Sequence, residues 1–205
     1  MNILPKDFPV VCVGGSAGAS SAYSQLLKHL RPDLGVAIVI VNHITRTSAT
    51  LHKILPRFTK MPVTLITEGL PLQPNHLFII PANRELHVLN GEFRLTPISK
   101  PKGWPDVVTL FLCSLAQNWG GKLVAVIFSG LDSDGAEALK TIKEVGGITI
   151  AQMPATAEWS DMPESAIKTG HIDFILSTED IAQKIVEIAH AFPGQEWGRR
   201  TGEDE

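Results

Sequence analysis

The sequence predicts an α/β fold: a doubly wound, mostly parallel sheet with helices on both faces and an inserted antiparallel β-hairpin. Apolar, β-branched runs alternate with segments of helical periodicity, and this order builds a parallel sheet covered by helices. The runs 8–13 and 36–41 are apolar without alternation, as expected for strands buried on both faces. In the middle of the chain, short strand-like segments around Asn90-Gly91 interrupt the alternation and indicate the hairpin.

The first half of the chain begins with strand, turn and helix. The run 8–13 closes at Gly14-Gly15, and apolar residues then recur at helical spacing over 19–30 until Arg31-Pro32 ends the pattern. The alternation continues with a strand over 36–41, a helix over 49–58 and a strand over 61–66.

The middle differs, because 77–80, 85–89 and 92–98 all have the composition of strands. Asn90-Gly91 separates the last two, and this dipeptide is the strongest short hairpin signal. The alternation then resumes with a helix over 107–117, a strand over 123–128, a helix over 135–145, strands over 148–151 and 174–176, and a final helix over 178–191.

The chain of 205 residues is predicted to form one domain over 1–192. No internal repeat and no Pro/Ser-rich linker divides it. The remaining segment, 193–205, combines Pro, Gly and charged residues without periodicity, so we expect a disordered polar tail.

Composition argues against several classes of function. The net charge is −3 and Arg199-Arg200 is the only basic run, which is no footprint for nucleic acid. Cys12 and Cys113 sit in apolar surroundings without metal-ligand spacing, so we interpret them as small buried hydrophobes, and we predict neither a metal nor a cofactor. The longest apolar run, 36–41, is too short to cross a bilayer, and residues 1–8 lack a signal sequence; we expect a cytoplasmic protein with no membrane insertion.

Gly14-Gly15-Ser16-Ala17-Gly18 fits G-x-S-x-G, which presents a serine hydroxyl on a tight turn between strand and helix. The alternative is a glycine-rich turn that only permits close packing, or that holds a phosphate at a helix N-terminus. A dinucleotide site is disfavoured, because it would need glycine where Ser16 and Ala19 stand. The pattern therefore predicts Ser16 as a nucleophile.

A serine nucleophile needs a base, and His43 is the best candidate among seven histidines. It directly follows the second strand, at the sheet edge where Ser16 also lies. The other histidines fall within helices, at their ends, in the hairpin or before a strand.

The third member is predicted to be Asp134, in the segment 129–135 after the strand 123–128. The alternative is that Asp132 or Asp134 is an ordinary cap at a helix start. Three strand ends that each present one member of a triad favour the catalytic interpretation. Backbone amides after Ser16, at Ala17, and near Leu131 are candidate donors for an oxyanion.

These residues resemble the catalytic domain of the chemotaxis protein-glutamate methylesterase family, the CheB-type methylesterases. The family has Gly-x-Ser-x-Gly after the first strand, His after the second, and Asp in a Gly-Met-Gly-x-Asp-Gly motif. Ser16, His43 and Asp134 fall on those positions in order, and the similarity extends over about 10–191. It implies hydrolysis of glutamate methyl esters on the cytoplasmic helices of chemoreceptors, in some members glutamine deamidation, through an acyl-serine intermediate.

This chain departs from the family pattern in ways that bear on substrate. Ala17 replaces the usual Thr, Asn42 and Ile44 flank His43 in place of Gln and Met, and Leu131-Asp132 replace Met-Gly. An aspartate at 132 that faced the pocket would disfavour anionic segments. The family's receiver domain is expected to be absent, since the first strand begins near residue 10.

Two alternative functions are left open. One is a non-catalytic interaction module with the same fold. The other is a small-molecule esterase of the ordinary α/β-hydrolase kind, which would need a late histidine such as His171 as base.

Overall fold

The computed structural model describes residues 8–42, 50–99, 106–120 and 122–192. Seven parallel strands form one sheet within these residues, and this confirms the predicted fold class. The strands of the sheet are β1 (Val10–Gly15), β2 (Ala37–Asn42), β3 (Val63–Leu65), β4 (His76–Ile79), β7 (Leu123–Ile127), β8 (Ile148–Gln152) and β9 (Phe174–Leu176). Their order across the sheet is β3-β4-β2-β1-β7-β8-β9, so β1 lies at the centre.

The remaining two strands, β5 (Arg84–Leu89) and β6 (Glu92–Pro97), form the predicted antiparallel hairpin. Asn90 and Gly91 connect them, with φ angles of 56° and 82°. Positive φ at both central residues is the conformation that a two-residue hairpin turn requires, which explains why the Asn-Gly signal was reliable.

Six helices flank the sheet in the described residues: α1 (Ala19–Lys28), α2 (Leu51–Ile54), α3 (Val107–Asn118), α4 (Leu139–Glu144), α5 (Asp161–Lys168) and α6 (Thr178–Ala191). The predicted helix 49–58 is mostly a short α2 followed by a 3-10 turn at Leu55–Arg57, because Pro56 cannot donate the helical hydrogen bond. The predicted helix 135–145 likewise divides into a 3-10 turn and α4. Within the described residues, no helix is both long enough and apolar enough to cross a membrane.

Two hydrophobic cores lie on opposite faces of the sheet, because successive side chains of a strand point to opposite sides. Val10 and Cys12 pack with α3, α4, α5 and the hairpin. Val11 and Val13 pack with α1 and α6. The central strands are therefore buried on both sides, as their unbroken apolar runs predicted. The predicted tail, 193–205, lies outside the described residues.

Candidate active site

The carboxyl ends of β2, β1 and β7 meet at one edge of the sheet. β1 pairs in parallel with both neighbours, and Gly15 lies in register with Asn42. The amide of Ser16 donates a 2.8 Å hydrogen bond to the carbonyl of Ser129 in the loop after β7. His43 follows Asn42 directly but lies outside the described residues, so its role stays a prediction.

Steric crowding explains the glycines of the nucleophile turn. A Cβ on Gly14 would lie 2.5 Å from Cγ1 of Val108, and one on Gly15 would lie 2.4 Å from the hydroxyl of Tyr23. Gly18 has φ of 74°, a left-handed conformation that glycine adopts without strain. Because these three positions lack a Cβ, the turn is tight enough for α1 to begin at Ala19, three residues after Ser16. The positive end of the α1 dipole therefore lies at the turn.

Asp134 is 6% exposed and binds a helix other than the one it precedes. Its Oδ2 accepts from the amide of Val108 and its Oδ1 from the amide of Thr109, both at 2.8 Å. These amides belong to the first turn of α3. The alternative to a catalytic role was that Asp134 caps the helix that follows it. The two hydrogen bonds of its carboxylate are instead with α3. An ionised carboxylate has about four acceptor sites, so two amide bonds leave capacity for an imidazole donor.

The backbone amides of Ala17 and Leu131 were predicted as oxyanion donors, and this role stays a prediction. Within the described residues, the amides of Ala17 and Leu131 donate no hydrogen bond. Both residues are partly exposed at the sheet edge, Ala17 beside Ser16 and Leu131 in the loop after β7. They have the donor capacity that a developing negative oxygen needs.

Sequence reasoning missed a buried hydroxyl that connects three loops. The Oγ of Ser129 donates to the carbonyl of Ala17 at 2.8 Å and accepts from the amide of Trp159 at 2.9 Å. The amide of Ser129 donates to Oε1 of Gln152 at the end of β8. The loops after β1, β7 and β8 are thus tied together at the nucleophile. The only local signal was a serine after a strand.

Gly130 lies where the loops pack most tightly. Its amide donates to the carbonyl of Trp159, and its carbonyl accepts from the amide of Met162, each at 3.1 Å. A Cβ on Gly130 would lie 2.0 Å from Sδ of Met162 and 2.9 Å from Cβ of Ser16. A side chain at this position would therefore displace Ser16 or the buried side chain of Met162 in α5.

A cavity of about 410 Å³ opens beside Asp134. Its lining is rich in aspartate and serine: Asp106, Leu131, Asp132, Ser133, Asp134, Asp161 and Ser165. Among the described residues, Asp132 lines this cavity and Ser16 does not. Within the described residues, no group of three or more histidine, cysteine or acidic side chains is arranged to hold a metal ion.

The two cysteines are free, and neither has thiolate character. Burial raises the pKa of the Cys12 thiol far above its ordinary value, and the nearby charge of Asp134 raises it further. Burial, and then the charge of Glu137, also raise the pKa of Cys113. Both thiols remain protonated at neutral pH and are poor nucleophiles.

The position of His171 disfavours the ordinary α/β-hydrolase arrangement. The hydroxyl of Thr149, at the amino end of β8, donates to the carbonyl of His171 at 2.6 Å. His171 therefore lies before β9, at the sheet edge opposite Ser16.

The CheB methylesterase family model matches residues 11–185, which include Ser16, His43 and Asp134. The chain belongs to the CheB methylesterase family. This membership supports an ester hydrolase, and the seven-stranded parallel sheet with a separate hairpin is the fold of the CheB catalytic domain.

Relatives of the CheB family agree over most of the chain. The catalytic domain of the Thermotoga maritima CheB methylesterase superposes with a TM-score of 0.81 at 26% identity, covering 87% of this chain and 97% of that one. A Leptospira interrogans protein, provisionally named protein-glutamate methylesterase/protein-glutamine glutaminase, is 31% identical over 185 residues, covering 89% of this chain and 95% of that protein. A Pseudomonas aeruginosa protein-glutamate methylesterase/protein-glutamine glutaminase is 32% identical over 181 residues, 87% of this chain but 54% of its own length. The chain thus spans about half of that relative.

Proposed function

We propose that this chain is a serine hydrolase that removes methyl esters from glutamate side chains of chemoreceptors. Ser16 is the nucleophile, His43 the general base and Asp134 the residue that orients it. The observation that carries the proposal is the 2.8 Å hydrogen bond from Ser16 N to Ser129 O, which joins the nucleophile turn to the loop bearing Asp134. Family membership and the names of the relatives support the substrate class. The proposed substrate lies on the cytoplasmic side of receptors, and the reaction would take place there.

The proposed reaction proceeds in two stages. The hydroxyl of Ser16 attacks the ester carbonyl while His43 takes its proton, and the amides of Ala17 and Leu131 receive the negative oxygen. Collapse of the tetrahedral intermediate expels the methoxy group, which leaves as methanol with the proton from His43. Water then attacks the acyl-serine with His43 again as base, and releases glutamate and free Ser16.

The acidic cavity lining favours a neutral substrate over a charged product. Asp132 and Asp161 line the same cavity as Asp134. A glutamate methyl ester is neutral, whereas the product is a carboxylate, which these charges repel. Electrostatics therefore promote product release in the proposed reaction.

The nucleophile is tested by methanol release from methylated receptor helices. Ser16→Ala is expected to reduce the rate by at least about 10³-fold, since nucleophile and base act as a unit. Ser20→Ala, at an exposed serine in the first turn of α1, is the matched control and should retain activity. Equal rates for wild type and Ser16→Ala would eliminate the covalent mechanism.

The base is tested by comparing two histidines. His52 lies in α2, and its buried Nδ1 has no hydrogen-bond partner within the described part of the chain. His43→Ala should abolish both methanol release and labelling of Ser16 by a fluorophosphonate probe, while His52→Ala should keep both. The reverse pattern would assign the base to His52. Absence of labelling in the wild type would favour the non-catalytic module.

Glutamine deamidation is a second activity of the same site, motivated by the names of the relatives. It is expected to release ammonia from glutamine-containing receptor helices and to depend on Ser16 in the same way. Methanol release without ammonia release would restrict the chain to esters.

A further inference from the structure

A second cleft, of about 400 Å³, lies at the opposite edge of the sheet from Ser16. The cleft is formed by the end of α1 and the 3-10 turn Leu55–Arg57. Because these elements lead into β2 and β3, the cleft lies at the amino ends of the strands, whereas Ser16 follows a carboxyl end. Its lining residues are Leu27, Lys28, Leu30, Arg31, Pro32, Arg57, Phe58, Thr59 and Lys60.

The lining combines exposed cations with an apolar floor. Lys28, Arg31, Arg57 and Lys60 are exposed, whereas Leu27 and Leu30 are buried beneath them. These lining residues, all within the described part of the chain, include no acid. Arg31 pairs with Asp33 at 2.8 Å, and both side chains remain largely exposed.

Phe58 provides an aromatic wall in the same cleft. It is partly buried, and Nζ of Lys28 lies 5.3 Å from its ring centroid. The aromatic ring of Phe58 and the buried leucines provide apolar surface directly beside the charges. The cleft can therefore contact both a charged group and an apolar side chain of a ligand.

The first 67 residues, which include all residues of the cleft, are basic, whereas the rest of the chain is acidic. The first 67 residues contain seven Lys and Arg but only two Asp and Glu, whereas the remaining 138 contain eleven and nineteen. Asp33 is the only acidic residue between Asp7 and Glu68. A positive cleft on a protein of net charge −3 will attract acidic surfaces selectively.

We propose that this cleft binds an acidic protein segment, in which glutamate or aspartate side chains flank an apolar side chain. The carboxylates pair with Lys28, Arg57 and Lys60, and the apolar side chain packs on Phe58 and the leucine floor. The apolar floor favours a peptide over an inorganic anion, which could use only the charges. Because the cleft lies at the edge opposite Ser16, the partner leaves the candidate active site open. The proposal does not depend on the esterase activity.

The test is fluorescence anisotropy with a labelled short peptide in which glutamates surround one leucine and one phenylalanine. The variant Arg57→Glu with Lys60→Glu is expected to raise the Kd by about tenfold or more, because two cations become repulsive charges. The control Lys140→Glu with Lys168→Glu makes the same change of net charge at side chains that are 68% and 75% exposed, and it should change the Kd by less than about threefold. Circular dichroism and fluorophosphonate labelling of Ser16 should be unchanged in both variants.

Raising the salt concentration from about 50 to about 300 mM should weaken peptide binding, because the screening length shortens. Equal effects of the two double variants, or no binding by the wild type, would overturn the proposal. Binding of phosphatidylglycerol vesicles but not of the peptide would also overturn it, in favour of a lipid surface. Residues 193–205 include the acidic run Glu203-Asp204-Glu205. If the peptide binds only after these residues are removed, the occupant of the cleft is this segment of the chain and not a partner protein.

Discussion

Gly130 is a position where the absence of a side chain leaves room for Ser16 and Met162. In Gly130→Ala the new Cβ would meet Sδ of Met162 at 2.0 Å and Cβ of Ser16 at 2.9 Å. We expect loss of Ser16 labelling and a drop of about 1–3 kcal/mol in the free energy of unfolding, the usual cost of overpacking. Urea unfolding and the labelling rate measure the two effects.

Gly120→Ala is the matched control, because a Cβ there would meet nothing within 4 Å. Labelling and stability of this variant should stay close to wild type. A Gly130→Ala protein that is labelled at the wild-type rate would show that the loop yields without moving the nucleophile.

Asp132 gives a second prediction at the residue scale. Asp132→Asn removes one negative charge from the cavity lining. Unit charges about 4 Å apart interact by about 1 kcal/mol in water, so the inhibition constant of a glutamate-containing product peptide should fall by about fivefold. The KM for the neutral methyl ester should change little. An equal change in both constants would contradict a charge effect on product release.

The residues of the candidate site differ in how well the sequence could predict them. Ser16 and Asp134 follow strands whose apolar runs are unmistakable, so motif and strand order place them at one edge. Ser129 was not predictable, because its hydroxyl binds the carbonyl of Ala17, 112 residues away. His43 stays a prediction.

The secondary-structure elements were predictable where the sequence pattern is continuous. The buried strands and the Asn-Gly hairpin were predicted within a few residues. α5 was missed, because it spans only eight residues and contains Pro163. Its start signals were present: Ser160 donates to Oε1 of Glu164 at 2.8 Å, and proline is tolerated in a first helical turn.

Asp173 connects three elements near the edge of the sheet, and it gives a pH-dependent prediction. It pairs with Lys143 of α4 and accepts from the amide of Thr149 in β8 at 2.9 Å. Partial burial acts to raise the pKa of Asp173, but the bonds from Lys143 and Thr149 outweigh it, so this pKa lies below the ordinary 3.8.

Because its pKa is lower in the folded state, the Asp173 carboxylate stabilises the fold above about pH 4, and this contribution is lost as the pH falls through the folded pKa. Asp173→Asn should lower the free energy of unfolding at pH 7, and its difference from wild type should shrink as the pH falls below the ordinary pKa of 3.8. Asp33→Asn, at an exposed ion pair, should have little effect at either pH. A loss for Asp173→Asn that is constant with pH would contradict the electrostatic origin.

At the scale of the whole molecule, one sheet supports two cores. Leu26 of α1 is fully buried on one face and Leu112 of α3 on the other. Leu26→Ala and Leu112→Ala should each cost about 2–5 kcal/mol and shift the same cooperative transition, because both faces depend on the same strands.

Unfolding followed by tryptophan fluorescence and by far-ultraviolet circular dichroism should give coincident curves for both variants. Val145→Ala, at a side chain that is 52% exposed, is the control and should shift neither curve noticeably. Two separate transitions, each sensitive to one leucine, would refute the prediction of a single domain over 1–192.

The hydroxyl of Ser129 joins two loops of the candidate site through a single oxygen atom. The Oγ of Ser129 binds both the carbonyl of Ala17, in the loop after β1, and the amide of Trp159, in the loop after β8. These two loops cannot separate without breaking one of the two hydrogen bonds. The side chain of Trp159 is 44% exposed, within reach of anything that docks there. A displacement of the Trp159 backbone would therefore break or strain a hydrogen bond to the same hydroxyl that binds the residue after Ser16.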